Sequence, residues 1–320
     1  MKYISTGSHD PFYNLAFEEY VLRNIKDDSY LLLWSSEKSI VVGKYQNVFE
    51  EVNLVEARKQ KVPVLRRISG GGTVYHDRNN LNYSMITDFS RGQFSGYDSF
   101  LDPVIQALNK MGVSAAKRRS CDIAVDGMKI SGSAQTIKKD RILHHGTLLF
   151  NSDLEHLHEL LKPSAGTFES KAVKSFRSPV TNILDHLDDR AMTIDDFRDH
   201  LLDALFPEGV IQKELEEKDL LEIRRLADEK YSKWLWNYGA SPRFTFSREG
   251  VLFGMPFTIH LEVKEGEITQ SEVHGLEKLL RNRTLMGTRY DYDEVSRILS
   301  IDMDQMPVGM SQDDIIRCFF

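Results

Sequence analysis

The chain predicts an α/β fold of the α+β kind: a mixed-sheet domain over residues 1–244 and a small α+β domain over 245–320. Three observations carry that expectation. Strand-like and helical runs interleave along the first part, as in layered α/β architectures. Asp126 and Gly127 lie between two β-prone runs, a strong hairpin signal, and hairpins make the sheet mixed. After Pro242 the character changes: Phe257, Ile259, Leu261 and Val263 alternate cleanly, and Glu265 and Gly266 make a turn. With 320 residues and a hydrophobic fraction of 41%, the chain has core enough for one large domain and a smaller one.

Each element has its own local signal. Asp10 and Pro11 open a helix as N-cap and first helical residue. Phe12, Leu15, Ala16, Leu22 and Ile25 follow at roughly helical spacing, and Glu18 and Glu19 are expected near its solvent edge. Residues 30–34 and 39–42 read as buried strands, 43–47 as a polar exit and 54–60 as a short helix. The apolar run Val62, Val64 and Leu65 then leads into Arg66, Arg67 and three consecutive glycines, Gly70, Gly71 and Gly72. Residues 81–87 read as a strand. Asp98 is expected to cap a helix that uses Leu101, Val104, Ile105, Leu108 and Met111 and stops at Gly112. The hairpin at Asp126 and Gly127 puts Lys129 near the start of a return strand, where Ser131, Gly132, Ser133 and Ala134 keep the floor of any pocket low. Residues 142–150 make an apolar strand carrying His144 and His145.

Residues 162–181 form a long polar connection, of a length that inside a compact domain marks a lid or disorder. Thr193 caps a helix with Ile194, Phe197, Leu201, Leu202 and Leu205 on one face, and 218–234 reads as a charged amphipathic helix. Trp234, Trp236 and Tyr238 read as packing residues. Two or three antiparallel strands are expected over 252–272, then helical stretches over 276–281, 292–299 and 312–319.

Composition excludes several classes. A net charge of −7 and a pI near 5.8 argue against general nucleic-acid binding, which needs a basic surface. Cys121 and Cys318 lie far apart, give no disulfide framework and no metal-ligand spacing, and point to a reducing cytoplasm. The N-terminus shows no signal peptide and no apolar run reaches membrane-spanning length.

Chemistry concentrates in residues 64–77. Glycines let the backbone lie against a ligand, and successive N–H groups in such a turn can cradle an anion. The preceding arginines offer bidentate contacts to phosphate or carboxylate. A bare triple glycine is otherwise a flexible hairpin turn, and neither established phosphate-loop spacing is present. Lys129 taken alone is a solvated hairpin residue. If it shares a cleft with the glycines, it can stabilise the charge that develops when a carboxylate attacks an α-phosphate. His144 and His145 lack a third ligand at a telling spacing, so they read as one exposed and one hydrogen-bonded core histidine rather than a metal site.

Three motifs, taken together, strongly resemble lipoate–protein ligases. They are Arg66-Arg67-Ile68-Ser69-Gly70-Gly71-Gly72-Thr73-Val74-Tyr75-His76-Asp77, then Lys129-Ile130-Ser131-Gly132-Ser133-Ala134-Gln135, and His144-His145-Gly146-Thr147-Leu148, in the family's order and spacing. The likeness extends over nearly the whole chain and weakens in the last 50 or so residues. The resemblance implies a fold shared with biotin–protein ligases and a two-step reaction. Lipoate and ATP, with Mg, would give lipoyl-AMP. The acyl group would then pass to a lysine of a lipoyl-carrier protein, either the lipoyl domain of a 2-oxo acid dehydrogenase or the glycine-cleavage H protein.

By position, Arg67, Ser69, Gly70, Gly71, Gly72, Thr73, Val74 and Tyr75 would hold the adenylate. Lys129 would be the catalytic group. His76, Asn80, Asp122, His145 and Thr147 would line the same pocket, and 169–182, with Lys171 and Arg177, would close over it as a lid. This chain departs from the family where Arg119-Ser120-Cys121 precedes Asp122, where Ala172 replaces a usual glycine, and where Pro179 replaces a frequent arginine. An alternative follows from the first departure: an ATP-independent lipoyl or octanoyl transferase using Cys121 as nucleophile. A non-catalytic lipoyl-binding protein is the third reading.

Overall fold

The computed structural model describes residues 1–90, 96–161, 165–280, 284–299 and 301–320. They form two compact units. The first comprises residues 1–44, 65–157 and 175–232, the second 45–64, 158–174 and 233–320. Its strands in chain order are β1 (Lys2–Ile4), β2 (Tyr30–Trp34), β3 (Ser39–Val42), β4 (Val64–Arg66), β5 (Val74–His76), β6 (Asn80–Asp88), β7 (Ala116–Arg119), β8 (Asp122–Val125), β9 (Met128–Lys138), β10 (Arg141–Leu149), β11 (Thr167–Ser170), β12 (Phe244–Leu252), β13 (Met255–Lys264) and β14 (Glu267–His274).

In the first unit a seven-stranded sheet runs β1-β2-β6-β10-β9-β8-β7. The β1–β2 pair is parallel and the other pairs are antiparallel, so the sheet is mixed, as the hairpin signal implied. Asp126 and Gly127 both adopt positive φ (50° and 77°), the geometry of a tight two-residue hairpin turn. A smaller sheet, β4-β3-β5, carries the glycine turn between its outer strands.

Strand alternation decides what faces the pocket. On β6, Leu81, Tyr83 and Met85 enter the core with Leu101, Val104, Phe197 and Leu201, so Asn82 and Ser84 face the opposite side. On β2, Leu31 and Leu33 enter the same core and Trp34 does not. On β10, Ile142 and Leu148 are core residues and His144 stacks on Phe100, so His145 and Thr147 point the other way.

Helix α1 (Pro11–Asn24) is capped by the Asp10 side chain, as expected. Its two glutamates are not at a solvent edge: Glu18 is 1% exposed and Glu19 is 2% exposed. Lys230, Tyr231 and Arg23 hold Glu19 in place. The helix expected from Asp98 does form (Asp98–Lys110), but Asp98 is its first helical residue and no side chain caps it. It ends at Lys110, capped by Met111, and Gly112 follows at φ +91°. Thr193 caps the helix Ile194–Leu205 through a reciprocal capping box with Asp196.

In the second unit, β11-β12-β13-β14 make an antiparallel sheet. Strand β11 comes from within the connection expected to be irregular: Thr167–Ser170 pairs with Phe244–Ser247 because Phe168 finds Phe244 and Phe246. Residues 162–164 of that connection lie outside the described set. Glu265 and Gly266 form the expected turn, φ 54° and 79°. The helix expected over 276–281 is instead a turn as far as Leu280, which bridges to Ile301, and residue 281 is outside the described set. Gly275 at φ +85° redirects the chain before a helix can start.

Candidate active site

Of the two arginines that precede the glycine turn, Arg67 holds the turn itself and Arg66 holds the neighbouring segment at Gly43 and Lys44. Both arginines are buried. Arg66 Nη1 donates to the carbonyls of Gly43 (3.0 Å) and Lys44 (3.3 Å). Arg67 donates from Nε to Ser69 Oγ (3.0 Å), from Nη1 to the Val41 carbonyl (3.1 Å), and from Nη2 to the carbonyls of Gly70 (2.5 Å) and Gly72 (2.7 Å). Burial lowers both guanidinium groups to about 10, which leaves them charged at neutral pH. Gly71 has φ +85°, and a Cβ there would come 2.9 Å from Arg67 Nη2. The turn therefore wraps the guanidinium, and Arg67 shapes it from inside. The Thr73 N–H donates to Ser175 Oγ at 2.9 Å.

Lys129 stands on the opposite wall. Its backbone is clamped: its N–H donates to the Pro179 carbonyl (2.9 Å), and its own carbonyl accepts from Thr181 N–H (3.1 Å). The side chain stays partly exposed, and Nζ sits 2.8 Å from Asp122 Oδ1 on β8. A Cβ on Gly132 would meet Lys129 Nζ at 2.6 Å, so a glycine is what lets the lysine fold across the strand. Beside this pair, Cys121 Sγ is 3.8 Å from Asp122 Oδ1. Burial, and then the Asp122 charge, push its thiol up from its ordinary value. The Arg119 guanidinium carbon lies 3.4 Å from the centre of the Phe176 ring.

A second polar cluster belongs to α1, β6 and β10. Ser84 Oγ donates to Glu18 Oε1 at 2.5 Å, and Trp34 Nε1 donates to Ser84 Oγ at 3.2 Å. His145 Nδ1 is 3.0 Å from Glu18 Oε1, and its Nε2 is 2.6 Å from Ser69 Oγ. His76 lies edge-on to Trp34. Burial, reinforced by Arg67, lowers it to about 3, so it is neutral. His76 Nδ1 and Asn82 Nδ2 are buried without a protein hydrogen-bond partner.

These walls enclose a cavity of about 180 Å³. Of the residues expected from sequence, Arg67, Gly71, Gly72, Thr73, Val74, His76, Asp122, Lys129, His145 and Thr147 line it. Ser69, Gly70, Tyr75 and Asn80 stand behind that lining. Ser69 and Gly70 bond Arg67, Asn80 bonds Asn82, and Tyr75 is 1% exposed. From the expected lid, Ser175 and Phe176 line the cavity, Arg177 is outside the lining, and Lys171 belongs to the second unit. Sequence reasoning missed Leu15, Glu18, Trp34, Asn82 and Arg119. For Asn82 the signal was present: in a strand whose odd positions are apolar, an even-numbered asparagine faces away from the core.

With this geometry in hand, comparison with known proteins is specific. Residues 10–206 match the family model for the lipoyl protein ligase A/B catalytic domain. The chain is 43% identical to the lipoate-protein ligase LplJ of Bacillus subtilis over 272 residues, which is 83% of this chain and 82% of that one. It is 38% identical over 308 residues to lipoate–protein ligase 1 of Staphylococcus aureus, covering 94% of each. Among solved structures, one is a bipartite lipoate protein ligase of Thermoplasma acidophilum, described together with its E2 lipoyl domain. It superposes with a TM-score of 0.64 at 26% identity, over 78% of this chain and 98% of that one. A lipoate-protein ligase A bound with ATP superposes with a TM-score of 0.63 at 26% identity, over 75% and 98%.

Proposed function

This chain belongs to the lipoate–protein ligase family, and from that premise we propose that it is an ATP-dependent, AMP-forming ligase. In the first step a carboxylate oxygen of lipoate attacks the α-phosphorus of ATP. The bond to the bridging oxygen breaks, and pyrophosphate leaves. In the second step the neutral amine of a carrier lysine attacks the acyl carbonyl. AMP leaves and the amine loses a proton. The acceptor is the lysine of a lipoyl domain of a 2-oxo acid dehydrogenase or of the glycine-cleavage H protein. Residues 1–244 carry both steps, and 245–320 are accessory. The reaction is cytoplasmic.

The observation that carries this reading is the Lys129–Asp122 pair on the wall of the cavity. An ammonium has three donors. With one directed at Asp122, two remain for the acyl carbonyl and a phosphate oxygen, where charge develops in both steps. Arg67 and Gly70 to Thr73 hold the adenylate's place, and the segment around Ser175, Phe176 and Arg177 closes over it. Magnesium would arrive with ATP. Among the described residues no three His, Cys, Asp or Glu side chains converge into a cage. That is compatible with an ion held by phosphates and water.

The alternative, transfer between carriers through Cys121, needs a thiolate and a base beside it. The neighbour of Cys121 is a carboxylate that raises its thiol, and both nitrogens of His145 already face Glu18 and Ser69. A mass-shift assay on an apo lipoyl domain decides the matter. The carrier gains one lipoyl group from free lipoate with ATP and none without it. Modification that persists without ATP, or none with it, sinks the ligase reading.

A further inference from the structure

The hydrogen bonds around Glu18 close in only one direction, and we infer from this that Glu18 is a positioning residue for the glycine turn. Trp34 Nε1 can only donate, and it reaches Ser84 Oγ at 3.2 Å. The Ser84 hydroxyl donates onward to Glu18 Oε1 at 2.5 Å. A carboxylate only accepts, so His145 Nδ1, 3.0 Å and 3.2 Å from its two oxygens, carries the imidazole hydrogen. From the other side, Arg67 Nε can only donate, and it reaches Ser69 Oγ at 3.0 Å. With a neutral imidazole Nε2 is the bare acceptor, and the Ser69 proton goes to it at 2.6 Å in preference to the Gly70 carbonyl at 3.5 Å. Each hydrogen is used once, and both arms of the chain end on Glu18.

What Glu18 fixes reaches the turn through named atoms. The His145 tautomer orients Ser69, Ser69 receives Arg67 Nε, and Arg67 Nη2 holds the carbonyls of Gly70 and Gly72. A glutamine at position 18 has nearly the same shape and lacks the property that matters. Its amide brings a donor to a place where two donors already converge. If the amide faces His145, the imidazole regains a partner by moving its hydrogen to Nε2. Ser69 Oγ then accepts from both that hydrogen and Arg67 Nε, and its own proton turns to the Gly70 carbonyl 3.5 Å away, the carbonyl that Arg67 Nη2 holds under the turn. The effect on rate rests on the ligase reading above; the tautomer does not.

Glu18→Gln in the full chain, with 15N-labelled histidine, is the test. The imidazole proton of His145 sits on Nδ1 in the wild type and is expected on Nε2 in the variant. In lipoate-dependent exchange of pyrophosphate into ATP, KM for ATP is expected to rise about 10–100-fold, by analogy with losing the partner that orients a metal-ligating histidine, with a smaller change in kcat. A proton that stays on Nδ1, or a folded variant with the wild-type KM, overturns the inference. If the wild type shows no exchange, the ligase reading fails, and the tautomer alone decides the role of Glu18. Should Glu18→Gln not fold, Ser69→Ala breaks the same chain one link on. It is expected to keep the His145 proton on Nδ1 while raising the same KM at least about tenfold; a wild-type KM there overturns the inference.

Discussion

Around Glu18, groups from α1, β2, β6, β10 and the glycine turn meet away from water, and their donors and acceptors answer one another. Around Lys129, an ammonium and a carboxylate from adjacent strands meet at a partly exposed wall, and the lysine keeps donors in reserve. The first arrangement resists change, because removing one partner of a buried network strands another polar group at about 1–3 kcal/mol. The second can accept a ligand without breaking anything already made. The difference separates what shapes the pocket from what is free to act in it. Arg67 shapes the glycine turn by its hydrogen bonds and also lines the cavity.

The strongest way to break the comparison is Lys129→Met, which keeps length and removes charge. Asp122 is buried and loses its ion-pair partner, so some loss of stability is expected beside the loss of rate. Ligation should fall about 10²–10³-fold, or roughly 3–4 kcal/mol, by analogy with losing one preorganised donor to developing charge. Thermal melts and carrier-modification rates measure the two halves. Activity within about threefold of the wild type would remove Lys129 from the mechanism.

The open cluster was legible in the sequence; of the closed one, Arg67, Ser69 and His145 were reached through resemblance and Glu18, Trp34 and Ser84 were not, for a physical reason. Lys129 follows a hairpin that Asp126 and Gly127 dictate locally, because both need positive φ. The small residues after it are equally local. Glu18 sits on a helix that buries Asn14, Glu18 and Glu19 together with Leu15, Phe17 and Val21, so no polar stripe marks a solvent face. Its partners, Ser84 and His145, lie 66 and 127 residues away. Only the sheet brings them together, and a two-residue periodicity cannot name a partner on another element. The same limit hid β11, whose pairing depends on phenylalanines about 80 residues downstream (Phe244 and Phe246).

Acid sharpens the comparison from the buried side. His144 stacks on Phe100 at 4.7 Å, accepts from Gln135 Nε2 at 3.0 Å, and is lowered to about 3 by burial and by neighbouring His145. In the unfolded chain it titrates near pH ~6.5. Between those values the unfolded state binds the extra proton, so stability present above about pH 6.5 is lost as pH falls toward 3. His76, also near 3, adds in the same direction. His144→Asn keeps an acceptor for Gln135 and removes the titration. Its own cost at pH 7 aside, the loss of unfolding free energy between pH 7 and 4.5 should shrink by about 2–3 kcal/mol, read from urea midpoints at both pH values. Parallel losses in the two proteins would show that His144 is not held neutral.

Cys121→Ser should have the smallest effect and is the most decisive between enzyme classes. Cys121 lines the same wall as Lys129, so proximity alone would favour a nucleophile. Its surroundings do not. A nucleophilic thiol needs its thiolate stabilised, whereas burial and Asp122 favour the protonated form, and Lys129 offsets them only in part. Adenylation asks nothing of this sulfur, because ATP activates the acyl group. Serine is nearly isosteric, and its hydroxyl can face Asp122 as the thiol does. Carrier lipoylation from lipoate and ATP should therefore stay within about threefold of the wild type, a change of well under 1 kcal/mol in the barrier. If the serine variant is dead while an acylated donor protein replaces lipoate and ATP in the wild type, the open cluster is built around Cys121. Lys129 would then be the group that supports it.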